Sequence, residues 1–253
     1  MKNKLFAAVC AAVLATGSFA ASAAEQLRVG THPTFAPFEF METASRQYVG
    51  FDMDLIREIG KRAGLEVEIV NMGFDGLIPA LLTGTIDIAV SGITITDERK
   101  KRVDFCDPYY EAGQSLMVRT EDKDKFTTAK DLEGKRIAVQ IGTTGADVAK
   151  GIAGAEVKSF NTSAEAFMDL KMKGCDVVIL DRPVIGYFLV KNARAAKGLS
   201  QQNAVKFDSE YFGFAVKKGN KELADKVNAA LKAIRDDGTY EKIYAKWFGG
   251  PSK

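Results

Sequence analysis

The sequence predicts an α/β protein of two lobes, each built on a mostly parallel sheet. Three observations carry this. Short apolar strand patterns alternate with amphipathic helix patterns along the chain, and such alternation builds parallel β-α-β units. The pattern runs twice, and the two rounds echo each other. Leu82-Thr83-Gly84-Thr85-Ile86-Asp87 leads into Ile88-Ala89-Val90, and Met172-Lys173-Gly174-Cys175-Asp176 leads into Val177-Val178-Ile179-Leu180. In both, a helix stops at glycine, an aspartate follows, and an apolar strand ends on a polar tip. One tip is Ser91-Gly92 and the other is Asp181. Third, 253 residues less a 24-residue leader leave 229, enough for two lobes.

The leader is residues 1–24. Lys2 and Lys4 give a basic start, Leu5 to Leu14 is apolar, and Ala21-Ser22-Ala23 or Ser22-Ala23-Ala24 offers small-residue cleavage. The apolar part is shorter than the about 20 residues a bilayer span needs. Val9 before Cys10 is not small, so a lipid anchor is not expected. The mature chain is expected to be exported and soluble. Without Lys2 and Lys4, 33 basic residues face 33 acidic ones. That balance argues against nucleic acid or an anionic membrane as the main partner. Cys106 and Cys175 fall in different expected lobes and read as separate thiols. With one histidine and no His/Cys cluster, no metal site is expected.

The elements follow in order. Leu27 to Gly30 reads as a strand. Phe51 to Ala63 reads as a helix ended by Gly64, with Met53, Leu55, Ile56 and Ile59 inside. Val67 to Val70 is a strand, Leu77 to Leu82 a helix, and Ile86 to Val90 a buried strand. The second round is strand Ile137 to Gln140, helix Gly145 to Ala153, strand Val157 to Phe160, helix Ser163 to Met172 and strand Val177 to Leu180. The chain returns through a strand from Tyr211 to Val216. A helix from Lys221 to Arg235 then stops before Gly238, and Thr239 to Phe248 closes as a short helix.

The run Ser91-Gly92-Ile93-Thr94-Ile95-Thr96-Asp97-Glu98-Arg99 leaves a strand at its carboxyl end, where open α/β sheets place ligands. Accessible backbone, hydroxyls and an arginine fork are the groups that hold a small carboxylate. The same run also reads as a capped turn, with Thr96 opening a short helix and Arg99 solvated.

Further runs carry a specific resemblance. They are Phe35-Ala36-Pro37-Phe38-Glu39-Phe40, Val49 to Leu55, Gly76-Leu77-Ile78-Pro79-Ala80-Leu81, Gly92 to Lys101, and Gly238-Thr239-Tyr240 through Lys246-Trp247-Phe248-Gly249. In this order the mature chain resembles the periplasmic amino-acid-binding proteins of ABC importers, its glutamine-binding members most of all. The resemblance implies the type II periplasmic-binding-protein fold. Residues 25–111 and 211–253 would form a large lobe and 116–207 a small lobe, with a two-segment hinge near 112–115 and 208–210. It also implies a monomer that delivers its ligand to a membrane permease with its ATPase, without catalysis or cofactor.

The implied pocket is carried residue by residue. Arg99 resembles the arginine that grips the α-carboxylate, Thr94 its hydroxyl partner, and Gly92 a carbonyl acceptor for the α-ammonium. Asp181 resembles the balancing carboxylate, Phe35 and Phe74 two aromatic walls, and Thr144 a helix start facing the carboxylate. Alternatives remain for Phe35 and Phe74 as core and for Asp181 as a helix cap before Pro183. The glutamine binders carry an aspartate where this chain has His32 and a lysine where it has Gln140. With no carboxylate evident near the side-chain end, glutamine is the expected ligand. Glutamate comes second, gaining as His32 charges, and other polar or aromatic amino acids third. Lysine and arginine are expected to bind weakly. Two other classes differ in what they require: a dehydratase on this fold needs a poised acid, and a sensor or receptor domain needs a membrane span or signalling domain after Trp247.

Overall fold

A computed structural model describes residues 25–250. The expected leader, with Cys10, lies outside the described residues. β1 (Glu25–Thr31) is followed by a small antiparallel sheet of β2 (Thr34–Phe35), β3 (Glu39–Met41) and β4 (Tyr48–Val49). α1 (Phe51–Ala63) buries Phe51, Met53, Leu55, Ile56 and Ile59 on one face. It stops because Gly64 adopts a left-handed φ of 69° and returns its N–H to the Gly60 carbonyl. Next come β5 (Leu65–Asn71), α2 (Leu77–Thr83), β6 (Ile88–Ala89), α3 (Asp97–Lys100), β7 (Val103–Phe105) and β8 (Tyr110–Arg119).

The second round holds β9 (Arg136–Gln140), α4 (Thr144–Lys150), β10 (Glu156–Phe160), α5 (Ser163–Lys171) and β11 (Val177–Asp181). It continues through α6 (Arg182–Lys191), α7 (Ala193–Ala196) and β12 (Leu199–Gln202). The chain returns by β13 (Ser209–Phe212) and β14 (Ala215–Lys217), and closes with α8 (Lys221–Asp236) and α9 (Thr239–Phe248). The large-lobe sheet has the order β5-β1-β6-β14-β7, and the small-lobe sheet β10-β9-β11-β8-β12. In each, the strands before the site are parallel, and the strands from the crossing segments join antiparallel. This is the two-lobed α/β architecture expected from the alternation.

The echo between the two rounds is a shared device. Asp87 accepts the Arg28 backbone N–H at 2.8 Å and its guanidinium at 2.7 Å. Asp176 accepts the Arg136 N–H at 3.0 Å and its guanidinium at 2.6 Å. In each lobe the aspartate before one strand therefore pins the neighbouring parallel strand in register.

Several boundaries differ from expectation. Within the expected strand at 86–90 only Ile88–Ala89 forms a ladder, because the chain turns toward the cleft at Ser91. The expected helix at 145–153 stops at Lys150 with Gly151 as its cap. The expected strand at 211–216 is two strands, broken at Gly213 where the chain passes from the crossing to the large sheet. A Cβ at Gly213 would lie 2.7 Å from Ile95 Cδ1, so glycine is needed for the close approach.

β8 ties the lobes together. Its first half pairs with β13, Glu111 opposite Tyr211, and its second half pairs with β11 and β12. Beneath this pair of crossings Phe38 packs against Tyr110 at 4.9 Å and against Phe212 at 5.2 Å. Phe248 of α9 reaches Tyr110 at 5.0 Å and Phe51 at 5.2 Å. Ring contacts of this kind add about 0.5–1.5 kcal/mol each beyond area burial, so the crossing rests on a firm aromatic base. Cys106 and Cys175 are free, buried thiols, as their placement in separate lobes requires.

Candidate functional site

The carboxyl ends of the parallel strands from both lobes face one cavity. From the large lobe Phe35, Glu39, Phe74, Ser91, Gly92, Thr94 and Arg99 line it; from the small lobe Gln140, Thr143, Thr144 and Asp181 do.

Arg99 reaches it from α3. Thr96 caps that helix, accepting the Arg99 backbone N–H at 3.2 Å, so the capped-turn reading is correct for Thr96. The arginine is half-buried rather than fully solvated. Its guanidinium donates to the Thr94 carbonyl at 2.8 Å and, across the cleft, to the Gly142 carbonyl at 2.9 Å. It also lies 5.7 Å from the centre of the Phe74 ring. Burial lowers its pKa, opposed by Asp147, Asp181 and Glu210; the group stays cationic at neutral pH.

Asp181 ends β11 and is buried. It stands at the N-cap position of α6 but makes no side-chain cap bond; its Oδ1 accepts from Gln114 Nε2 at 3.3 Å. Burial first, and the nearby Glu210 carboxylate second, raise its pKa to about 8. Glu210, on crossing strand β13, accepts at Oε2 from Thr94 at 3.3 Å, Gln114 at 3.0 Å and Thr144 at 3.0 Å. One carboxylate thus gathers groups from both lobes and from the crossing.

The floor is formed by Ser91 and Gly92. Gly92 adopts φ 54°, and a Cβ there would meet the Phe35 ring at 3.1 Å. Its N–H donates to Asp52 Oδ2 at 2.9 Å, and Ser91 Oγ donates to Glu39 Oε1 at 2.8 Å. Glu39 and Asp52 are both fully buried. Burial, then Asp52, raises Glu39 well above the usual carboxylate range. Burial raises Asp52 to about 6, against the donors Gly92 and Tyr109.

All the site residues expected from sequence line this cavity except His32. Its backbone N–H donates to Ser91 Oγ at 3.1 Å, and its ring nitrogen Nδ1 lies 3.3 Å from Thr34 Oγ1 and 3.2 Å from Gln140 Nε2. His32 therefore touches the cavity only indirectly, through Ser91 and Gln140. Burial lowers its pKa, so it charges later on acidification than a free imidazole. The expectation that no carboxylate stands near the side-chain end is corrected by Glu39. Sequence reading included Glu39 in the run it compared but gave it no role; a carboxylate between Phe38 and Phe40 was the available signal. Gln114 and Glu210 were missed because they sit on crossing strands. Among the described residues no group of three or more His, Cys, Asp and Glu could hold a metal ion. No helix there is long and apolar enough to cross a membrane.

Two lobes, two crossings and a charged cleft between strand ends are matched by sequence. Residues 27–250 match the bacterial extracellular solute-binding proteins, family 3. The chain belongs to this family. It is 39% identical to ABC transporter arginine-binding protein 1 of Escherichia coli (strain K12), over 95% of this chain and 98% of that one. Among solved structures, an ancestral arginine-binding protein bound to arginine is 46% identical, covers 88% of this chain and 98% of its own, and superposes with a TM-score of 0.82. An ancestral arginine-binding protein bound to glutamine is 45% identical over 89% of this chain and 98% of its own, with a TM-score of 0.80. This solute-binding protein thus shares its scaffold with relatives that carry a cationic or a neutral amino acid.

Proposed function

We propose that the chain is a monomeric periplasmic protein that captures an L-amino acid between its lobes and delivers it to the permease and ATPase of an ABC importer. Arginine is the first-choice ligand. The reading rests on one observation: Arg99 and Asp181 line the same cavity, which the Phe35 and Phe74 rings also line. A zwitterion taken out of water needs both charges matched. Arg99 would grip the α-carboxylate with Thr94 and Thr144 beside it. Asp181 would take the α-ammonium, with the Gly92 carbonyl. The rings would clamp the methylenes.

The side chain then points to Glu39, whose Oε2 is buried with no protein donor, and a guanidinium supplies donors. Glutamine is the second reading, favoured by Gln140, whose Oε1 is likewise buried without a donor and would accept from an amide. The lobes in this reading are 25–111 with 211–253, and 116–207, turning about 112–115 and 208–210.

A thermal-shift screen of the twenty amino acids tests this. Ligand at 100 times its Kd adds about 2.7 kcal/mol, so arginine should raise the melting midpoint by several degrees. Agmatine, which lacks the α-carboxylate, should raise it little. A flat response to all twenty would overturn the proposal.

A further inference from the structure

Behind the floor of the cavity two carboxyls present four oxygens to too few donors. Glu39 Oε1 accepts from Ser91 Oγ, and Asp52 Oδ2 accepts from the Gly92 N–H at 2.9 Å and the Tyr109 hydroxyl at 2.7 Å. Glu39 Oε2 and Asp52 Oδ1 are both buried without a hydrogen-bond partner, and the adjacent Ser91 hydroxyl and Gly92 N–H hold the two carboxyls side by side. With no cation beside them, two neighbouring buried carboxyls do not both ionise. A single proton between them satisfies both remaining oxygens. Asp52, with two donors on its other oxygen, is the better anion, so the proton belongs to Glu39. Glu39 alone of the two lines the cavity.

We propose that Glu39 and Asp52 share one proton that an entering cationic side chain displaces, coupling arginine uptake to proton release. This rests on the reading of arginine as ligand. A guanidinium against Glu39 supplies N–H donors to its oxygen. The O–H bond of Glu39 breaks, the proton leaves to the buffer, and the new carboxylate is paired with the ligand cation. A neutral side chain of the same shape leaves the proton in place. Arginine binding therefore strengthens as pH rises, and the cleft discriminates cationic from neutral ligands by how much proton is available.

The groups facing the pair are few. Tyr109, from the segment before β8, and Tyr240 of α9, which donates to the Tyr109 carbonyl at 2.6 Å, are phenols that stay protonated as pH rises. Asp181 faces Glu39 from the small lobe and also gives up its proton to a ligand ammonium. That release is common to every amino acid, so a neutral analogue subtracts it.

The experiment is calorimetric titration at pH 7 with arginine and with citrulline, its neutral isostere, in Tris and in phosphate. The dependence of the heat on buffer ionisation counts the protons. Arginine should release about one proton more than citrulline. Glu39→Gln, which imitates the protonated pair, and Asp52→Asn, whose amide donates to Glu39 Oε2, should each lower the arginine count by about one. An arginine count equal to that of citrulline, or one that both variants leave intact, overturns the coupling. If arginine does not bind the wild type at all, the arginine reading falls and the coupling falls with it.

Discussion

At Asp181 burial and the Glu210 carboxylate keep the carboxyl protonated up to about pH 8, whereas an unfolded aspartate ionises near pH 4. Between these values the folded state holds the extra proton. The stability slope with pH is negative wherever the native state binds more protons, so Asp181 costs stability progressively as pH rises from about 4 to about 8. Asp181→Asn should therefore melt above wild type by a margin that grows across that window in amino-acid-free buffer. Subtracting the two melting curves removes the contribution of Glu39 and Asp52. A margin that is constant with pH would show that Asp181 is ionised in the folded protein throughout. Asp181, at a strand tip, and Arg99, on the short helix that follows one, were legible because charge just past an apolar run has few other uses. Glu39 was not, because its role depends on Asp52 and Ser91, which are 13 and 52 positions away in sequence. His32 was misplaced by one hydrogen bond, which no sequence pattern encodes.

At the scale of elements, the corner between β9 and α4 is where the small lobe meets the large one. Gly142 there has φ 77°, its carbonyl accepts from Arg99, and a Cβ would lie 3.2 Å from Asp75 Cβ across the cleft. Gly142→Ala adds left-handed strain of about 1–2 kcal/mol to every state of the protein, but crowds Asp75 only when the lobes are together. Arginine affinity should fall on the order of tenfold, equivalent to about 1.4 kcal/mol, alongside a lower melting midpoint. A lower midpoint with wild-type affinity in calorimetry would mean that the corner does not meet Asp75 in the bound state. The helices α1 and α9 were read with their observed bounds because Gly64 and Gly238 punctuate them and their apolar spacing is regular. β8 was not recognised as a strand. Buried from Ala112 to Val118, it lacks the alternation of a half-solvated strand and carries Gly113 and Gln114 where the lobes and site require them. α6 was hidden for a related reason: Pro183 opens it immediately at a strand end, and such a turn reads equally as a loop.

For the whole molecule, contacts that span the cleft include Arg99 to Gly142, Gln140 to His32, Ser163 Oγ to the Thr34 carbonyl at 3.5 Å, and the Phe40 ring to that of Tyr187 at 6.2 Å. The crossings by contrast are paired along β8 and β13 over an aromatic base. On the proposed reading the molecule would open by turning about the crossings, and a ligand held by both lobes would favour closure. Small-angle scattering should show a smaller radius of gyration with saturating arginine. An unchanged radius with binding independently confirmed would contradict the hinge. The two-lobed plan was legible in the sequence through the repeated glycine-aspartate-strand pattern, since each lobe pins its sheet by the same arginine-aspartate pair.

The most direct test of the account is calorimetric titration of arginine into wild type and Arg99→Ala. Removing one member of a buried charge pair costs about 3–5 kcal/mol, so the wild type should bind one arginine per chain and the variant at least about 100-fold more weakly. Arg99→Lys should also bind poorly, because a lysine cannot make the fork. Equal affinity for wild type and Arg99→Ala would contradict the site, and with it the reading of the cleft as an amino-acid trap.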